Sequence, residues 1–346
     1  MRNWINPEAV MSPNEYQKLI GAALALKNTD WESKGAVLKS RAIYFLFFNQ
    51  SLRTRSSFQT GLAKLGGIPV VLDPQAGIYT PALPGREIPY ATERISDVAR
   101  VLSEYGDAIA IRMYGEPAGW VYGEAHRAMV EFSQWASIPI INMECDKFHP
   151  CQALADMITI REKFGAKRKK IVISWAYSGS WHKPVAVPQS VLLASANCAL
   201  DIVLAYPEGF ELDEEIVKLA ESKAQLSGGS LRITHSFDEA IEGADIVYAK
   251  SWCSLKHLPE QYGDTVEEVA MTSLFEANRD WIYDDSKRLR TASDSIYMHC
   301  LPADRGQEVT DEIIDGASSA VFAQASNRMH AQNAAMVHLL NPGALE

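Results

Sequence analysis

Several features that would place a protein in a particular class are missing from this sequence. No apolar run approaches the roughly 18 to 20 residues that a membrane-spanning helix needs, and the first ten residues lack the basic and then apolar pattern of a secretion signal. The five cysteines are odd in number, widely spaced and without a CxxC pair. This pattern is typical neither of a disulfide framework nor of a zinc site. We therefore expect free thiols in a cytoplasmic protein.

Positive charge is also in short supply. The chain has 33 Lys and Arg against 43 Asp and Glu, which gives a formal net charge of −10. An acidic balance disfavours a general binder of nucleic acid or of anionic membranes, although it still permits a small basic pocket for an anion. The nucleotide-binding pattern GxxxxGK[ST] is absent as well. The predicted partners are small molecules, not nucleic acid or a membrane.

What is present is the composition of an ordinary globular protein of 346 residues, with 47% hydrophobic and 22% charged residues. One core rarely fills such a length, so about two domains are expected. Short apolar runs alternate with amphipathic segments, which indicates an α/β organisation. The predicted elements include a helix over 92–105, a strand over 297–301, a short strand at 320–322 and a final helix over 327–340.

Residues 49–55 (NQSLRTR) follow a predicted strand and open a predicted helix. Ser51 and Thr54 offer hydroxyl groups, and the two arginines of the segment offer guanidinium groups. A helix start adds free main-chain N–H groups, so the segment would suit an anion. A serine cap followed by surface arginines explains the same residues equally well.

Three further stretches place polar side chains where a ligand could bind. His149 and Gln152 stand at the predicted start of a helix, although a histidine there is more often a cap or a packed ring. Cys300 lies at the C-terminal end of a predicted strand, at the sheet edge where α/β proteins bind ligands. It is either a nucleophile without an assigned base or a buried thiol. Lys250 ends an apolar strand, where it either holds a carboxylate or is solvated. Trp252 and the other four cysteines are expected to be packed in the interior.

Together and in this order, these stretches resemble the aspartate/ornithine carbamoyltransferase family along nearly the whole chain. Residues 51–55 (SLRTR) are similar to its phosphate-binding SxRTR, residues 149–156 (HPCQALAD) to its HPxQxxxD, and residues 299–302 (HCLP) to the HCLP of its ornithine branch. Residues 97–102 and 107–112 match in order and spacing as well. The resemblance implies an enzyme of amino-acid metabolism that uses carbamoyl phosphate.

Two replacements indicate the branch. Where the ornithine enzymes have a GDGNN stretch and an SMG loop, this chain has residues 175–184 (WAYSGSWHKP) and 248–252 (YAKSW). Both resemble the knotted branch of N-acetylornithine and N-succinylornithine carbamoyltransferases. The resemblance implies two doubly wound parallel-sheet domains, with a proline-rich knotted loop in the second. The expected domains are 1–148 for carbamoyl phosphate, 149–326 for the acceptor amino acid, and 327–346 as a C-terminal helix that returns to the first.

The resemblance also implies roles for individual residues. Those for carbamoyl phosphate binding are Ser51, Leu52, Arg53, Thr54, Arg112, His149, Gln152, Leu301 and Arg328. Those for catalysis are Arg112, His149, Gln152 and Cys300, and those for the acceptor are Tyr79, Glu144, His182, Lys250, Cys300 and Asp304. No metal and no cofactor is implied. A homotrimer with shared active sites is expected, with the loop at 73–89 reaching into a neighbour.

Departures from the family pattern concern the acceptor. After HCLP the acylornithine enzymes carry a basic pair and then a lysine, where this chain has Asp304, Arg305 and Glu308. We expect these acids to disfavour N-succinylornithine, and the acceptor to be N-acetylornithine or a short free diamino acid such as 2,3-diaminopropionate. The alternatives are ornithine carbamoyl transfer, catabolic phosphorolysis of a ureido amino acid such as 2,3-ureidopropionate, and a carbamoyl phosphate-binding pseudoenzyme without turnover.

Overall fold

The computed structural model describes residues 2–74 and 76–345, and its contacts divide the chain into two compact units. The first unit comprises Met1–Pro7, Gly21–Cys151 and Arg328–Glu346, and the second comprises Glu8–Ile20 and Gln152–Asn327. The outer limits of the expected domains at 1 and 346, and Gln75 in the expected neighbour-reaching loop, lie outside the described residues. Both units are α/β with parallel sheets, as predicted. The knotted loop stays a prediction.

The elements are numbered in chain order. The α-helices are α1 Pro7–Val10, α2 Pro13–Asn28, α3 Trp31–Lys34, α4 Leu52–Lys64, α5 Ile95–Tyr105, α6 Glu124–Trp135, α7 Pro150–Phe164, α8 Ala186–Asn197, α9 Glu214–Ser227, α10 Phe237–Ile241, α11 Glu268–Glu276, α12 Asp285–Arg288, α13 Asp311–Ile314 and α14 Val321–Leu340. The β-strands are β1 Ala42–Phe47, β2 Ile68–Leu72, β3 Thr80–Ala82, β4 Thr92–Arg94, β5 Ala108–Arg112, β6 Ile140–Glu144, β7 Lys170–Trp175, β8 Asp201–Ala205, β9 Ser230–Thr234, β10 Ile246–Lys250 and β11 Ile296–Met298. Short 3₁₀ turns cover Glu116–Ala118, Leu255–His257 and Pro342–Leu345.

The sheet of the first unit has the strand order β2-β1-β5-β6, and all of its pairings are parallel. Strands β5 and β6 are buried along their whole length, which explains why apolar residues occupy both faces of β5 instead of alternating with polar ones. Each strand ends in a charged residue, Arg112 on β5 and Glu144 on β6. The carboxyl edge of this sheet therefore collects the polar groups, as it does in other open parallel sheets.

The sheet of the second unit has the strand order β11-β10-β7-β8-β9 and is also parallel throughout. Helix α8 is buried on all sides, which fits its composition of small and aliphatic residues. Strand β10 ends in Lys250, and β11 is followed directly by the residues 299–302. This arrangement sets the lysine and the HCLP segment beside each other at the carboxyl edge.

Three predicted elements differ from the structure. The helix predicted over 92–105 begins only at Ile95, because its first three residues form β4 and pair with β3. The strand predicted at 320–322 was wrong: α14 begins at Val321, and the N–H of Gln324 donates to the carbonyl of Ala320, the residue before the helix. The strand predicted over 297–301 ends at Met298, since Leu301 adopts a positive φ of 56° that a strand does not allow.

No helix or strand was predicted for the first 41 residues, yet they contain helices α1 to α3. Helix α2 of 16 residues is the longest of the three. Within the described part of the chain, no helix combines the length and the apolar character needed to cross a lipid bilayer.

Candidate functional site

A side-chain bridge fixes the chain where β1 passes into α4. The Asn49 amide donates to the main-chain carbonyl of Tyr114 and accepts from the main-chain N–H of the same residue, both at 3.0 Å. Tyr114 lies two residues beyond the end of β5. Because the bridge joins the ends of adjacent strands, the start of α4 and the end of β5 are held in one geometry.

Helix α4 begins with the cap that the sequence suggested. The Ser51 hydroxyl accepts a hydrogen bond from the N–H of Thr54 at 3.2 Å. The Leu52 side chain is exposed, so only its main chain can serve an anion at the helix start. Arg55 lies over the ring of Phe47, 4.7 Å from its centroid. Arg53 is half-buried on the same turn. The cap and the anion site are thus compatible interpretations of one segment.

Beside this helix start, the ends of β5 and β6 form a buried charge cluster. The pairing of these strands shifts register after Ile111, so that Arg112 stands opposite Glu144. The Arg112 guanidinium donates to the Glu144 carboxylate. The same carboxylate oxygen lies 3.2 Å from Nε2 of His149. All three residues are less than a tenth exposed.

Three further residues complete this cluster. Thr54 is buried, and its hydroxyl accepts from Arg328 at 3.1 Å and lies 3.5 Å from Arg112. The second terminal nitrogen of Arg112 donates to the Tyr114 hydroxyl at 2.8 Å. Among the residues that the structure describes, the buried Nε of Arg112 has no hydrogen-bond acceptor. A buried cation with an unused donor is suited to an anionic ligand.

The ion pair also stabilises the positive charge of Arg112. Burial alone would lower the pKa of this guanidinium, but Glu144 and Tyr114 raise it above its ordinary value. Arg112 therefore stays protonated even though it is almost wholly removed from water. In a site of low dielectric constant, such a fixed positive charge interacts strongly with any negative charge that develops nearby.

In the second unit, Gln152 belongs to a buried amide network. Its Nε2 donates to Asp156 at 2.7 Å, one helical turn away on α7. Asp156 also accepts from the Gln324 amide at 2.6 Å. The carbonyl oxygen of that amide accepts from the main-chain N–H of His299 at 2.9 Å. This network fixes the orientation of Gln152 and links it to the start of the HCLP segment.

Two of the predicted acceptor residues, Lys250 and Asp304, belong to the second unit and lie among further charged and polar groups. Lys250 is buried, and its ammonium donates to the carbonyl of Ser251 at 2.9 Å. The Asp304 carboxylate accepts from the Ser178 hydroxyl at 2.5 Å and forms an ion pair with Lys183. Asp304 is about a third exposed. Its charge is therefore available to a ligand only in part, because a lysine already offsets it.

His182 does not join these groups. Its exposed ring stacks on Trp181 at 3.8 Å, and its Nδ1 lies 3.1 Å from the Ser180 hydroxyl. The neighbouring Lys183 takes the place by the acids instead. Tyr79, an expected acceptor residue of the first unit, is exposed.

Glu308 contradicts the expectation that it presents a negative charge to the acceptor. It is completely buried, and its carboxylate accepts from the main-chain N–H groups of Ser251 and Asp304, both at 2.7 Å. Burial alone would raise its pKa, but the Nε2–H of His299 and two lysines hold the pKa of the carboxyl well below its ordinary value. The carboxylate is charged, but main-chain N–H groups and a lysine of the protein already occupy its oxygens.

The structure thus brings the predicted site residues together in two sets. The first unit joins Thr54, Arg112, Glu144, His149 and Arg328. Glu144, which was predicted as an acceptor residue, lies in this set. The sequence analysis missed Tyr114 and Lys183. Tyr114 could have been found from its position two residues after Arg112, on the same side of an extended segment, and Lys183 carried no comparable signal.

Three of the four cysteines that were expected to be packed are buried, and the fourth, Cys198, is half-buried. Cys145, Cys151 and Cys253 are buried, whereas Cys198 and Cys300 are partly exposed. Burial raises the pKa of the Cys253 thiol to about 12. Trp252 is buried and donates to the carbonyl of Phe210 at 2.9 Å, which confirms its packing role.

Comparison with known families places both units. The family model described as the carbamoyl phosphate-binding domain of aspartate/ornithine carbamoyltransferase matches residues 3–162. The model described as the Asp/Orn-binding domain of the same family matches residues 173–339. The two matches cover most of the chain, in the order that the sequence motifs predicted.

Curated relatives and solved structures agree with these matches. The ornithine carbamoyltransferase of Pyrococcus horikoshii is 36% identical over 333 residues, which cover 95% of this chain and 93% of that protein. The N-acetylornithine carbamoyltransferase of Xylella fastidiosa is 33% identical over 334 residues, which cover 94% and 95%. A crystal structure of acetylornithine transcarbamylase with acetylcitrulline superposes with a TM-score of 0.89 at 31% identity, over 99% of this chain and 100% of that one.

Proposed function

The chain belongs to the aspartate/ornithine carbamoyltransferase family, and from that premise we propose the reaction that it catalyses. It transfers the carbamoyl group of carbamoyl phosphate to the side-chain amine of a diamino acid or of its N-acyl derivative, and inorganic phosphate is released. The observation that carries the proposal is the buried Arg112, held by Glu144 and Tyr114 with its Nε unused. Such a donor beside the start of α4 suits a phosphorylated substrate.

The phosphate binds at the start of α4. Ser51, Arg53 and Thr54 contribute side-chain donors there, and the main-chain N–H groups of the first turn, including that of Leu52, contribute the helix dipole. Arg328 reaches the same threonine hydroxyl from α14. These groups hold the phosphate where its negative charge grows as it leaves.

Arg112 and His149 stabilise the carbonyl oxygen. When the amine attacks the carbonyl carbon, that oxygen becomes an oxyanion, and preformed positive charge lowers the energy of this state. The proposed partners of the carbamoyl amino group are the Gln152 amide and the main-chain carbonyls at Cys300 and Leu301. The chemistry needs no covalent intermediate, because holding the two substrates in register supplies about 7–11 kcal/mol of the barrier by itself.

The Glu144 carboxylate has a part in the attack. It lies between Arg112 and His149 and contacts both. We assign it to the incoming amine, which must lose a proton to react, since an alkylammonium has a pKa near 10. The departing phosphate is the other group that can accept this proton.

Lys250 is the proposed partner of the acceptor's α-carboxylate. It is a buried cation whose ammonium has one main-chain bond and therefore retains donors. The relatives carry the names ornithine and N-acetylornithine carbamoyltransferase, and we propose an N-acetylornithine-like acceptor first. A short free diamino acid is the second candidate, because Asp304 remains partly exposed and an α-ammonium could approach it.

A screen of acceptors tests the proposal. Phosphate release from carbamoyl phosphate would be measured with N-acetylornithine, N-succinylornithine, ornithine, 2,3-diaminopropionate, lysine and putrescine. Turnover with an acceptor that has an α-carboxylate is expected, and putrescine, which has none, should be poor. Phosphorolysis of the corresponding ureido acids would show which direction is faster. If carbamoyl phosphate binds but no acceptor gives turnover in either direction, the chain is a binding protein and the proposal fails.

A further inference from the structure

Glu308 is a buried carboxylate at which three separate segments of the second unit meet. Its Oε1 accepts from the N–H of Ser251, just after β10, and its Oε2 accepts from the N–H of Asp304, in the turn after β11. The ammonium of Lys183, from the segment after β7, lies 3.4 Å from Oε2. Each of these segments leaves the carboxyl edge of a different strand. One side chain therefore fixes the spacing of three loops that are far apart in the chain.

The same carboxylate fixes the ring of His299. The Nδ1 of this histidine accepts from the N–H of Leu301 at 2.9 Å, so the ring proton of the neutral form must be on Nε2. Nε2 lies 3.3 Å from Oε2 of Glu308. Burial lowers the pKa of His299 in spite of this acid, which keeps the ring neutral. The hydrogen bond from Leu301 thus fixes the tautomer, and the acid lies next to the Nε2–H of that form.

This link reaches the HCLP turn. Leu301 has a φ of 56°, a conformation that costs a branched residue energy and has to be imposed by its surroundings. The hydrogen bond to His299 is one such constraint, and the bond from Asp304 to Glu308 is another, three residues later. The carbonyls of Cys300 and Leu301 take their direction from this turn.

A parallel link reaches Lys250. The carbonyl of Ser251 accepts from the Lys250 ammonium, while the N–H of the same serine donates to Glu308. The main chain of Ser251 is therefore held on one side by the acid, and it holds the lysine on the other. Lys183, which pairs with Asp304, is drawn to the same carboxylate.

We propose that Glu308 is the positioning residue of the second unit, a buried anion that sets the HCLP turn and Lys250 in the arrangement that carbamoyl transfer needs. The inference rests on the proposed function, because it assigns the turn to the carbamoyl amino group and the lysine to the acceptor. Glu308 itself touches neither substrate. It acts through His299 and Ser251.

An amide cannot replace this carboxylate. Two main-chain N–H groups donate to Glu308, and the Lys183 ammonium and the His299 Nε2 lie 3.4 and 3.3 Å from its Oε2. Glutamine has the same shape, but it offers one acceptor oxygen and brings two donors of its own. In Glu308→Gln, one end of the side chain must turn a donor towards other donors, which separates the loops without removing volume.

Steady-state kinetics of Glu308→Gln test the proposal. We expect kcat with the best acceptor to fall at least tenfold and the acceptor KM to rise, while the dissociation constant of carbamoyl phosphate, measured by calorimetry, changes less than twofold. The matched control is Glu312→Gln, the same substitution at an exposed position four residues later, which should leave all three values unchanged. A folded Glu308→Gln with the kcat and acceptor KM of the parent would overturn the proposal.

A readout on the parent protein keeps the test independent of folding and of turnover. Nitrogen-15 spectra of labelled histidine would report the tautomer of His299, assigned through loss of its signal in His299→Gln. We expect the Nε2–H form, with no protonation between pH 9 and pH 6. An Nδ1–H ring, or one that titrates in this range, would contradict the link to Glu308 whatever the activity. If the expected spectrum is found but no acceptor is carbamoylated, the proposed function fails and the link stands.

Discussion

Arg112 and Glu144 face each other at the ends of adjacent parallel strands, and their side chains form an ion pair that is more than nine-tenths buried. A buried pair of this kind is a weak source of stability, because removing two charges from water offsets most of their attraction. The arrangement is better explained by function. The acid keeps a guanidinium charged and oriented in a site whose ligand is an anion.

The first prediction is that Glu144 and carbamoyl phosphate, which are both anions, compete for Arg112. In Glu144→Gln, the guanidinium loses its negative neighbour, and carbamoyl phosphate no longer has to approach against a carboxylate. Two unit charges about 7 Å apart interact by about 2 kcal/mol at an effective dielectric constant of 20, so binding should tighten about tenfold or more. Turnover should fall, since Arg112 and His149 lose the group that orients them. Calorimetry and steady-state kinetics would measure the two effects, and weaker binding of carbamoyl phosphate would contradict this account.

The second prediction separates the two arginines of α4. Arg53→Ala should leave the fold intact but weaken carbamoyl phosphate binding by about 2–5 kcal/mol, because a desolvated phosphate loses a charge-assisted hydrogen bond. Arg55→Ala is the matched control, since Arg55 already lies over Phe47 and within 3.9 Å of Asp73. Equal losses in the two variants would show that general positive charge, and not a placed arginine, holds the phosphate.

Local sequence signals predicted the parts of the structure that depend on neighbours in the chain. Ser51 caps α4 because a short hydroxyl before a helix can reach the N–H three residues on. The position of Lys250 followed in the same way from an apolar run that ends in a charge. Such features can be predicted from a few neighbouring residues. The resemblance to a family then indicated that these residues belong to one site.

Contacts between segments that are distant in the chain could not be predicted from the sequence. Arg112 lies opposite Glu144 because the register shifts between two strands, and neither strand's sequence alone predicts that shift. Lys183 reaches Asp304 across 121 positions. The partners of Glu308 could not be predicted for the same reason: the sequence shows its charge, but not the main-chain N–H groups of Ser251 and Asp304 that donate to it. A polar residue acquires its role from its partners, which the fold alone selects.

The third prediction concerns the acceptor. Lys250→Ala should raise the acceptor KM by a factor that corresponds to about 1.5–3 kcal/mol, the usual cost of losing a hydrogen bond to a charged group. The dissociation constant of carbamoyl phosphate should not change. Lys218→Ala is a suitable control, because this exposed lysine on α9 pairs with Glu214. An unaltered KM in Lys250→Ala would remove Lys250 from the acceptor site.

The fourth prediction is a homotrimer. The first unit exposes Ile88, at 59%, on the segment 73–89 that the family resemblance implies for a neighbouring subunit, and Tyr90, at 94%, just beyond the end of that segment. Exposed large apolar side chains that lie close together in the chain are typical of contact surfaces. Light scattering should give about three times the chain mass of 38.3 kDa. Ile88→Glu should dissociate the assembly, whereas Leu226→Glu, at an exposed apolar position of the second unit, should not. A fully active monomer would disprove the assembly.

The last prediction is a pH dependence of stability that arises at Glu8. This side chain has no exposed surface, and its carboxyl accepts from the Ser190 hydroxyl at 2.5 Å. Burial raises its pKa to about 7, against the opposing effects of Ser190 and Lys223. In the unfolded chain a glutamate ionises near pH 4.3. Since the unfolded state loses its proton first, the free energy of unfolding should fall as the pH rises from about 4.3 to 7, and the loss should be complete above that pH.

Glu8→Gln removes this titration while keeping the size of the side chain. At pH 3.5, where the carboxyl is protonated in both states, the variant and the parent should be about equally stable. At pH 8 the variant should be more stable by about 3–4 kcal/mol, as expected for a carboxyl whose pKa is about 7 in the folded chain and about 4.3 in the unfolded chain. Urea unfolding at several pH values would measure the difference. Glu221→Gln, on the exposed side of the helix that carries Lys223, is the control and should follow the parent at every pH. If Glu8→Gln is less stable than the parent at pH 8, then Glu8 is held as an anion by Lys223, and its burial does not govern its charge.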